Sequence, residues 1–220
     1  MTAGAASTVL RLTRSGVERV ADRNRLSALR DEFRRNHVAA LPGLIAPPLL
    51  EAIVDKFDAG VFETKAHGDA ALELCLSPDE SVGLLHFLVN EPAVYELIEF
   101  IGDTSPIRSF FGRVYRHLPE RGHYQDWHGD VEPDRRIGMS INLGREPYEG
   151  GVFEIRVRDS QRAPAGIHNV GFGDAIVFRL RDDLEHRVTA LEGRVPKTAF
   201  AGWFRSHPDY VAVLRGRAPR

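Results

Sequence analysis

The sequence predicts a mainly β protein with some α structure, a sandwich or jelly roll on which an N-terminal helical region packs. Two observations predict this fold class. Before about residue 105, apolar residues recur with the spacing of amphipathic helices. After that point they alternate with a period of two residues, and glycines separate the runs. Several short strands divided by turns are typical of sandwiches and jelly rolls.

Three helices are predicted in the first half of the chain. Leu26, Leu29 and Phe33 stand at i, i+3 and i+7 within the charged stretch 22–37. A second apolar stripe follows Pro47, and a third begins after Pro92. Proline is favoured in the first turn of a helix, so both prolines indicate helix starts.

Six strands are predicted in the second half. Within the second of them, Ile137, Met139 and Ile141 share one face, and Ser140 and Asn142 share the other. The apolar face needs a cover, which the preceding helices can supply. The small polar face would then look into a barrel and indicates a site inside it. The six predicted strands are 110–118, 136–143, 151–157, 174–180, 186–191 and 197–204.

Length and composition indicate one globular domain. The chain has 220 residues, of which 43% are apolar and 27% charged, with a net charge of −2. We therefore expect neither a nucleic acid nor an anionic membrane as a partner. A single cysteine, Cys75, and the absence of a long apolar run favour a cytoplasmic protein without a membrane span. The predicted parts of the domain are a flexible start at 1–20, a helical support region at 21–104, a β core at 105–206 and a C-terminal tail at 207–220.

A metal site is predicted from three residues. His128 and Asp130 are two positions apart, so on an extended strand both side chains project to the same side. His186, at the start of a later predicted strand, supplies a third ligand. Two histidines and one carboxylate on one face of an octahedron leave open positions, as iron(II) oxygenases require for a keto acid and O₂.

If the keto acid is a dicarboxylate, its far carboxylate also needs a cation to bind it. Two candidate cations follow His186. Lys197 shares one strand face with Ala199, Ala201 and Trp203, which together form a wall of one cation, two small residues and an indole. Arg194 has the opposite parity and lies before Pro196. The pattern favours Lys197, and Arg194 stays the alternative.

Four blocks of sequence resemble the 2-oxoglutarate- and iron(II)-dependent oxygenases, in particular their prolyl 4-hydroxylase-like branch. The resemblance covers about residues 105–206 and implies a double-stranded β-helix, a distorted jelly roll. The blocks are 127–130 (WHGD), 149–155 (EGGVFEI), 173–178 (GDAIVF), and 186–188 (HRV) followed by 197–204 (KTAFAGWF).

The resemblance implies further site residues. Tyr115, on the strand before the His-x-Asp motif, matches a tyrosine that binds 2-oxoglutarate in the family. Asn142, with Ser140 beside it, matches a polar group near the distal carboxylate. Trp203 is expected in the same pocket. For the prime substrate, the candidates at the pocket rim are Trp127, Tyr124 and Arg136, which could equally be surface packing.

The implied reaction is hydroxylation of an unactivated C–H bond with release of succinate and CO₂. It uses Fe(II), 2-oxoglutarate and O₂, with ascorbate as reductant. Halogenating relatives lack the carboxylate ligand, so Asp130 favours hydroxylation. The expected substrate is an amino-acid residue in a peptide or protein or on a carrier. The alternatives are a small-molecule tailoring oxygenase, a jelly-roll binding protein without catalysis, and a hydrolytic zinc enzyme, which would not need Lys197.

Overall fold

The computed structural model describes residues 8–57, 60–68, 71–78, 80–104, 106–160, 162–168 and 171–214. Its helices are α1 (Arg23–Asn36), α2 (Pro47–Val54), α3 (Glu80–Val89), α4 (Pro92–Gly102) and α5 (Tyr210–Leu214). Its strands are β1 (Leu10–Thr13), β2 (Gly16–Arg19), β3 (Val38–Leu41), β4 (Phe62–His67), β5 (Ala71–Leu76), β6 (Ser109–His117), β7 (Tyr124–His128), β8 (Arg135–Asn142), β9 (Glu149–Gly150), β10 (Phe153–Val157), β11 (Ala165–Ile167), β12 (Ala175–Arg179), β13 (Leu184–Val188), β14 (Leu191–Glu192) and β15 (Lys197–Arg205).

The strands form one long antiparallel sheet that folds round a cavity. Its order is β11-β10-β13-β7-β5-β6-β15-β8-β12-β3, with β4 paired to β5. The strands on the two sides of β5 face each other across the cavity, with β7, β13 and β10 on one side and β6, β15 and β8 on the other. The prediction of a mainly β, double-stranded β-helix fold with helical support is confirmed.

The predicted helices form for local reasons that the structure makes visible. Asp22 caps α1 by accepting a hydrogen bond from the Arg25 N–H at 2.9 Å. At the other end His37 adopts a left-handed conformation, and its N–H donates to the Phe33 carbonyl. Pro47 and Pro92 lie in the first turns of α2 and α4, as the sequence predicts.

The helices cover the outer face of the β6-β15-β8 side of the sheet. Phe110, Phe200 and Phe204 are fully buried there, and helical residues such as Leu85 and Ile98 are buried in the same cluster. A second, smaller cluster on the opposite side includes Phe153 and Phe178. It packs beside the cavity. The main core is therefore outside the barrel, and the interior stays available for a site.

Three parts of the predicted organisation differ in the structure. Residues 10–19, expected to be flexible, form the β1-β2 hairpin, and Leu10 and Leu12 are buried against the core. The region 21–104 is not only helical, because β4 and β5 form a hairpin within it. The sequence patterns do not predict these two strands. Part of the tail is helical, as α5; residues 1–7 and 215–220 lie outside the described residues.

In the part of the chain that the structure describes, no helix is long and apolar enough to cross a membrane.

Candidate active site

The side chains of His128, Asp130 and His186 come together beside the cavity. His128 ends β7 and pairs directly with His186 on β13, and Asp130 follows two residues later. One ligand atom from each residue lies within 4.8 Å of the other two. The His128 Nε2–Asp130 Oδ1 distance is 3.8 Å, and the His186 Nε2–Asp130 Oδ2 distance is 3.4 Å. Two imidazoles and a carboxylate at such distances can share one metal ion.

A β-bulge in β7 aims His128 at this site. His186 pairs with His128, but Val188 pairs with Gln125, so β7 has one extra residue between the two pairs. The bulge lets Gln125 line the cavity while His128 meets His186. It also places Trp127 against Arg156 and Arg187, whose guanidinium carbons lie 3.9 and 4.6 Å from the ring centroid.

Hydrogen bonding fixes the tautomer of His128. Its Nδ1 lies 2.6 Å from the Asp126 carbonyl oxygen. A carbonyl can only accept, so Nδ1 carries the proton and donates it. The Nε2 lone pair of a neutral ring is then left for a metal ion, and the carbonyl holds the ring in place.

His186 is held by aromatic packing. Its ring stacks on Phe153, with centroids 5.5 Å apart, and tilts against Phe178 at 4.7 Å. Burial, together with the neighbouring His128, lowers the pKa of His186 below its usual value despite the opposing effect of Asp130. The ring is therefore neutral at physiological pH, the form in which histidine binds metals.

Asp130 is ionised and oriented by its neighbours. Burial by itself would raise the pKa of Asp130, but the hydrogen bonds from His186 and Trp203 and the nearby His128 lower it overall. The Trp203 Nε1–H donates to Oδ2 at 3.0 Å. The Arg135 guanidinium lies 3.7 Å from the centroid of the Trp203 ring and fixes the indole from the other side.

Lys197 is a buried cation in the same cavity. The side chain lines the cavity wall, and its Nζ donates to the Gly151 carbonyl at 2.7 Å. Burial lowers the pKa of Lys197 to about 7. Arg194, the alternative, is exposed to solvent and lies away from the cavity. The geometry favours Lys197.

Two further predicted contacts, Tyr115 and Ser140, also line the cavity. Tyr115 stands opposite Ala199 on β15, and Ser140 stands opposite Ala201. The two alanines leave space between these hydroxyls, as the strand parity predicts. Burial, and after it the charge of Glu73, raises the pKa of Tyr115, so its hydroxyl stays a donor.

Asn142 does not reach the cavity, contrary to the expectation that it binds the co-substrate. Its Nδ2 donates to the carbonyls of Gly144 and Gly171, and its Oδ1 accepts from the Gly144 N–H. The side chain is fully buried and ties two loops together at the end of β8. Asn142 stands opposite Ala199, which lines the cavity, but its amide is held by the backbone of the two loops instead.

The three rim candidates for the prime substrate also lie elsewhere. Arg136 donates to the Pro133 carbonyl and to Ser206 Oγ, outside the barrel. Trp127 packs between arginines on the outer face of β7, and Tyr124 is 39% exposed. None of these three lines the cavity. Trp127 lies on the outer face because of the bulge in β7, and no local sequence pattern indicates that bulge.

The cavity contains an acid–histidine pair that the sequence patterns do not single out. Glu73 on β5 and His117 on β6 both line it, with Oε2 and Nε2 3.2 Å apart. The signal for Glu73 was weak but present, because an acid interrupts an otherwise apolar stretch, Ala71–Leu76. Nothing local indicates that this stretch adjoins Tyr115.

Comparison with known proteins agrees with this geometry. Residues 112–205 match the family model of the 2OG-Fe(II) oxygenase superfamily. These residues form a 2OG-Fe(II) oxygenase domain. The match contains all three predicted metal ligands and Lys197. The predicted superfamily is confirmed, and with it the enzyme class, a 2-oxoglutarate-dependent dioxygenase. Enzymes of this superfamily use Fe(II), 2-oxoglutarate and O₂.

Solved structures share the oxygenase fold. A prolyl-4-hydroxylase from Pseudomonas putida superposes with a TM-score of 0.61 at 19% identity, over 83% of this chain and 100% of that one. A 2OG-Fe(II) oxygenase family oxidoreductase from Burkholderia pseudomallei gives 0.62 at 16%, over 97% and 100%. SnoN, an α-ketoglutarate-dependent epimerase from nogalamycin biosynthesis, gives 0.65 at 16%, over 88% and 87%. No curated protein matches the chain in sequence.

Proposed function

We propose that this oxygenase hydroxylates an unactivated C–H bond of an amino-acid residue and converts 2-oxoglutarate to succinate and CO₂. One observation carries the proposal. Two histidine nitrogens and a carboxylate oxygen converge within 4.8 Å beside a cavity whose wall also holds a buried lysine. A metal triad and a buried cation together suit a metal-binding keto acid with a second carboxylate.

The donor set fits iron(II). His128 offers Nε2 because its Nδ1–H is bound to a carbonyl, His186 is neutral, and Asp130 is ionised. When bound, Fe(II) would coordinate the keto acid and O₂ and supply the oxidising chemistry of the family. In this proposal His128, Asp130 and His186 hold the metal, and Trp203 is a positioning residue that orients the Asp130 carboxylate.

Lys197 is proposed to bind the distal carboxylate of 2-oxoglutarate. Its ammonium gains a counter-charge when the carboxylate arrives, which offsets the cost of burial. The Tyr115 and Ser140 hydroxyls can donate to the same co-substrate along the slot that Ala199 and Ala201 leave open.

The reaction balances with the proposed co-substrates alone. One 2-oxoglutarate, one O₂ and one C–H bond give one succinate, one CO₂ and one C–OH group. One oxygen atom enters succinate and the other enters the hydroxyl. Ascorbate is proposed only as a reductant that keeps the iron in its ferrous state between turnovers.

The amino-acid substrate is supported by the likeness to a prolyl-4-hydroxylase, which is a similarity of fold at low identity. The likeness to SnoN supports a second candidate, a tailoring oxygenase for small natural products. The two candidates share the metal triad and Lys197. They differ only in the prime substrate. Turnover of 2-oxoglutarate can be measured without that substrate.

The core reaction is tested by measuring succinate formed from 2-oxoglutarate with Fe(II), ascorbate and O₂. We expect slow turnover by the wild type without a prime substrate. His128→Ala should lose at least ~100-fold of this rate, because it removes a metal ligand. Lys197→Ala should raise the KM for 2-oxoglutarate by roughly 10- to 100-fold, because it removes a charged partner of a carboxylate.

Matched controls separate these effects from general damage. His168→Ala and Lys56→Ala remove an exposed histidine and a half-exposed lysine away from the cavity, and both should behave as wild type. Binding of Fe(II) and 2-oxoglutarate without turnover would indicate an enzyme that waits for its substrate. If the wild type bound neither, the oxygenase proposal would fail and a non-catalytic jelly roll would remain.

A further inference from the structure

An acid–histidine pair lies in the cavity wall beside Lys197, and the proposed reaction does not use it. Glu73 is 4% exposed and His117 is 7% exposed, and both line the cavity. The Glu73 Oε2–His117 Nε2 distance is 3.2 Å. A buried carboxylate costs free energy unless hydrogen bonds and an opposite charge compensate it. Such a pair is therefore expected at a functional site rather than in an apolar core.

The strand register places this pair and Lys197 in one row. His117 on β6 stands directly opposite Lys197 on β15. On the other side of β6, Leu74 stands opposite Arg116, so the next residues that face each other in this antiparallel register are Glu73 and His117. Side chains that stand directly opposite each other leave the sheet about 5 Å apart. The row therefore brings an acid, a histidine and a lysine to one level of the cavity wall.

The same level adjoins the slot in which the co-substrate is proposed to bind. Ala199 is two residues from Lys197 and directly opposite Tyr115, and it lines the cavity. Tyr115 and His117 are two residues apart on β6, so both project to the cavity side of the sheet. The space over the small Ala199 side chain is therefore bordered by three polar groups, those of Tyr115, His117 and Lys197.

His117 has one ring nitrogen available to a ligand. Its Nε2 faces the Glu73 carboxylate. Among the residues that the structure describes, none forms a hydrogen bond with the Nδ1 of His117. A second histidine ring, that of His123, lies 6.2 Å away between centroids, but its Nδ1 accepts from the Leu118 N–H. A group in the cavity can therefore bond to His117 Nδ1 without displacing a contact of the protein.

The hydrogen bond within the pair decides what Nδ1 can offer. An ionised carboxylate only accepts, so a neutral His117 ring carries its hydrogen on Nε2 and presents a lone pair at Nδ1. The pair then has a net negative charge and repels a carboxylate. With one more proton the pair is neutral overall. Nδ1 then carries a hydrogen, whether the proton between Nε2 and Oε2 lies on the nitrogen or on the oxygen, and only this form can donate to a carboxylate.

The other titratable groups on the elements around the pair are Lys65 on β4, Cys75 on β5, Tyr115 on β6, His123 before β7 and Lys197 on β15. Burial raises the pKa of Cys75 to about 11, and it also raises the pKa of Tyr115 and lowers that of His123. These three groups are therefore neutral near pH 7. Burial lowers the pKa of Lys197 to about 7, so this lysine can also take up a proton when a carboxylate binds.

We propose that the Glu73–His117 pair binds the distal carboxylate of 2-oxoglutarate together with Lys197, through the His117 Nδ1–H and only when the pair holds its extra proton. Binding of the co-substrate then takes up a proton on the pair, by reciprocity of the two equilibria. Glu73 is a positioning residue, because it holds the ring through Nε2. This inference rests on the proposed function, because it adds a binding group to the co-substrate site of the same cavity.

The test measures the dissociation constant of 2-oxoglutarate by calorimetry. It uses the full chain with saturating Mn(II) and without O₂, from about pH 6 to about pH 8.5, which spans the titration of most histidines. The first variant is Glu73→Gln, whose amide can donate to Nε2 and so move the ring hydrogen to Nδ1 without an extra proton. We expect this variant to match wild type near pH 6 and to bind ~10-fold more tightly than wild type near pH 8.5.

Proton uptake is measured in the same experiments, from the binding enthalpies in two buffers that differ in ionisation enthalpy. Lys197 takes up a proton in wild type and in the variant alike, so it cancels from the difference between them. In the middle of the pH range, wild type should take up more protons than Glu73→Gln, by up to one for each 2-oxoglutarate bound. Equal uptake by the two proteins would contradict the inference.

A second variant removes both partners. The double change Glu73→Leu with His117→Phe replaces the pair by apolar groups, which a fold tolerates better than the loss of one partner. It should bind 2-oxoglutarate roughly 5- to 10-fold more weakly than wild type near pH 6, because the Nδ1–H donor is gone. This factor should shrink or reverse towards pH 8.5, where wild type loses its donor too. A merely structural role would give the same factor at every pH.

The matched control for Glu73→Gln is Glu63→Gln, the same chemical change on the same hairpin at a side chain that is 55% exposed. It should follow the wild-type curve at every pH. If Glu73→Gln does not fold, the pH dependence of the double variant decides the question alone.

The outcomes distinguish this inference from the proposed function. Suppose that the protein binds 2-oxoglutarate and makes succinate, but Glu73→Gln follows wild type or binds more weakly at every pH. The inference would then be overturned and the proposed function would stand. The same holds if the double variant binds 2-oxoglutarate as tightly as wild type near pH 6. Protein that binds no 2-oxoglutarate at any pH would overturn both.

Discussion

Lys197 shows how a single residue can lower stability and serve function. The lysine is buried in the cavity and donates to the Gly151 carbonyl. Burial lowers its pKa from 10.5 to about 7. Without a bound carboxylate, the charged form is disfavoured in the folded protein. The residue is retained, on our proposal, because 2-oxoglutarate supplies the missing charge.

The stability of the protein without ligands should depend on pH through Lys197. Below pH 7 the lysine is charged in both the folded and unfolded states, and the full burial cost is present. Above pH 7 the unfolded state binds more protons than the folded state, so the cost declines as pH rises towards the unfolded pKa. Stability from this residue therefore increases between pH 7 and about pH 10.

Lys197→Met should remove this dependence. At pH 7 we expect the free energy of unfolding, measured in urea without metal or 2-oxoglutarate, to rise by on the order of 2 kcal/mol over wild type. The difference should shrink as the pH is raised to about 9. Lys56→Met, at a half-exposed lysine, should show neither effect. If the difference in free energy of unfolding between Lys197→Met and wild type stays constant with pH, burial of a charged Lys197 is not its cause.

At the scale of elements, the packing of β8 against β12 supports a metal ligand that neither strand contains. Gly138 on β8 pairs directly with Phe178 on β12. A Cβ added to Gly138 would lie 2.1 Å from the Phe178 ring, so the ring lies across the glycine. Phe178 in turn packs on His186 at 4.7 Å between centroids. Because Gly138 has no side chain, the Phe178 ring can lie across it and pack on His186. Gly138 therefore helps to position the imidazole of His186 on β13.

Gly138→Ala should weaken metal binding without altering a ligand. Displacement of Phe178 should lower the free energy of unfolding by about 1–3 kcal/mol, and loss of support for His186 should weaken Mn(II) binding by roughly 10-fold. Gly83→Ala is the control, because Gly83 lies in α3 with open space around it. That change should stabilise the protein by ~0.5–1 kcal/mol. If Gly138→Ala binds Mn(II) as tightly as wild type, the proposed support of His186 by Phe178 would be refuted.

At the scale of the whole molecule, one apolar cluster joins the helices to the sheet. Phe33 of α1, Leu85 of α3 and Ile98 of α4 are buried in the same cluster as Phe110 and Phe200 of the central strands. Because the helices and the sheet share this core, unfolding of either one would expose the buried apolar residues of the other. The prediction of a single domain, made from chain length, is therefore open to a direct test.

We expect urea unfolding to follow one cooperative transition. The helical signal in circular dichroism and the fluorescence of Trp127 and Trp203, which both lie in the β region, should give coincident curves. Phe200→Ala should lower the free energy of unfolding by about 3–5 kcal/mol in both signals. Phe87→Ala, at a ring that is 62% exposed, should change it by less than about 0.5 kcal/mol. Two separate transitions would divide the chain into two domains.

Patterns within single strands and helices predict much of the fold and of the site. The period-two pattern predicted β6, β8, β10, β12, β13 and β15 but not β7, which carries His128, or β11. Three apolar stripes predicted α1, α2 and α4. The four-block order predicted the superfamily, and strand parity placed Lys197, Ser140 and Trp203 on the cavity wall. These features depend on the alternation of side chains along one strand, which is a local property of the chain.

Which of the predicted residues meet depends on the tertiary structure. It turned Trp127 outward through a bulge, assigned Asn142 to two loops, and brought Glu73 from a separate hairpin to the side of His117. Each of these outcomes depends on which strands are neighbours and where their pairing slips by one residue. Packing over the whole core selects which strands are neighbours in a sheet. The pattern within one strand therefore does not predict its neighbours.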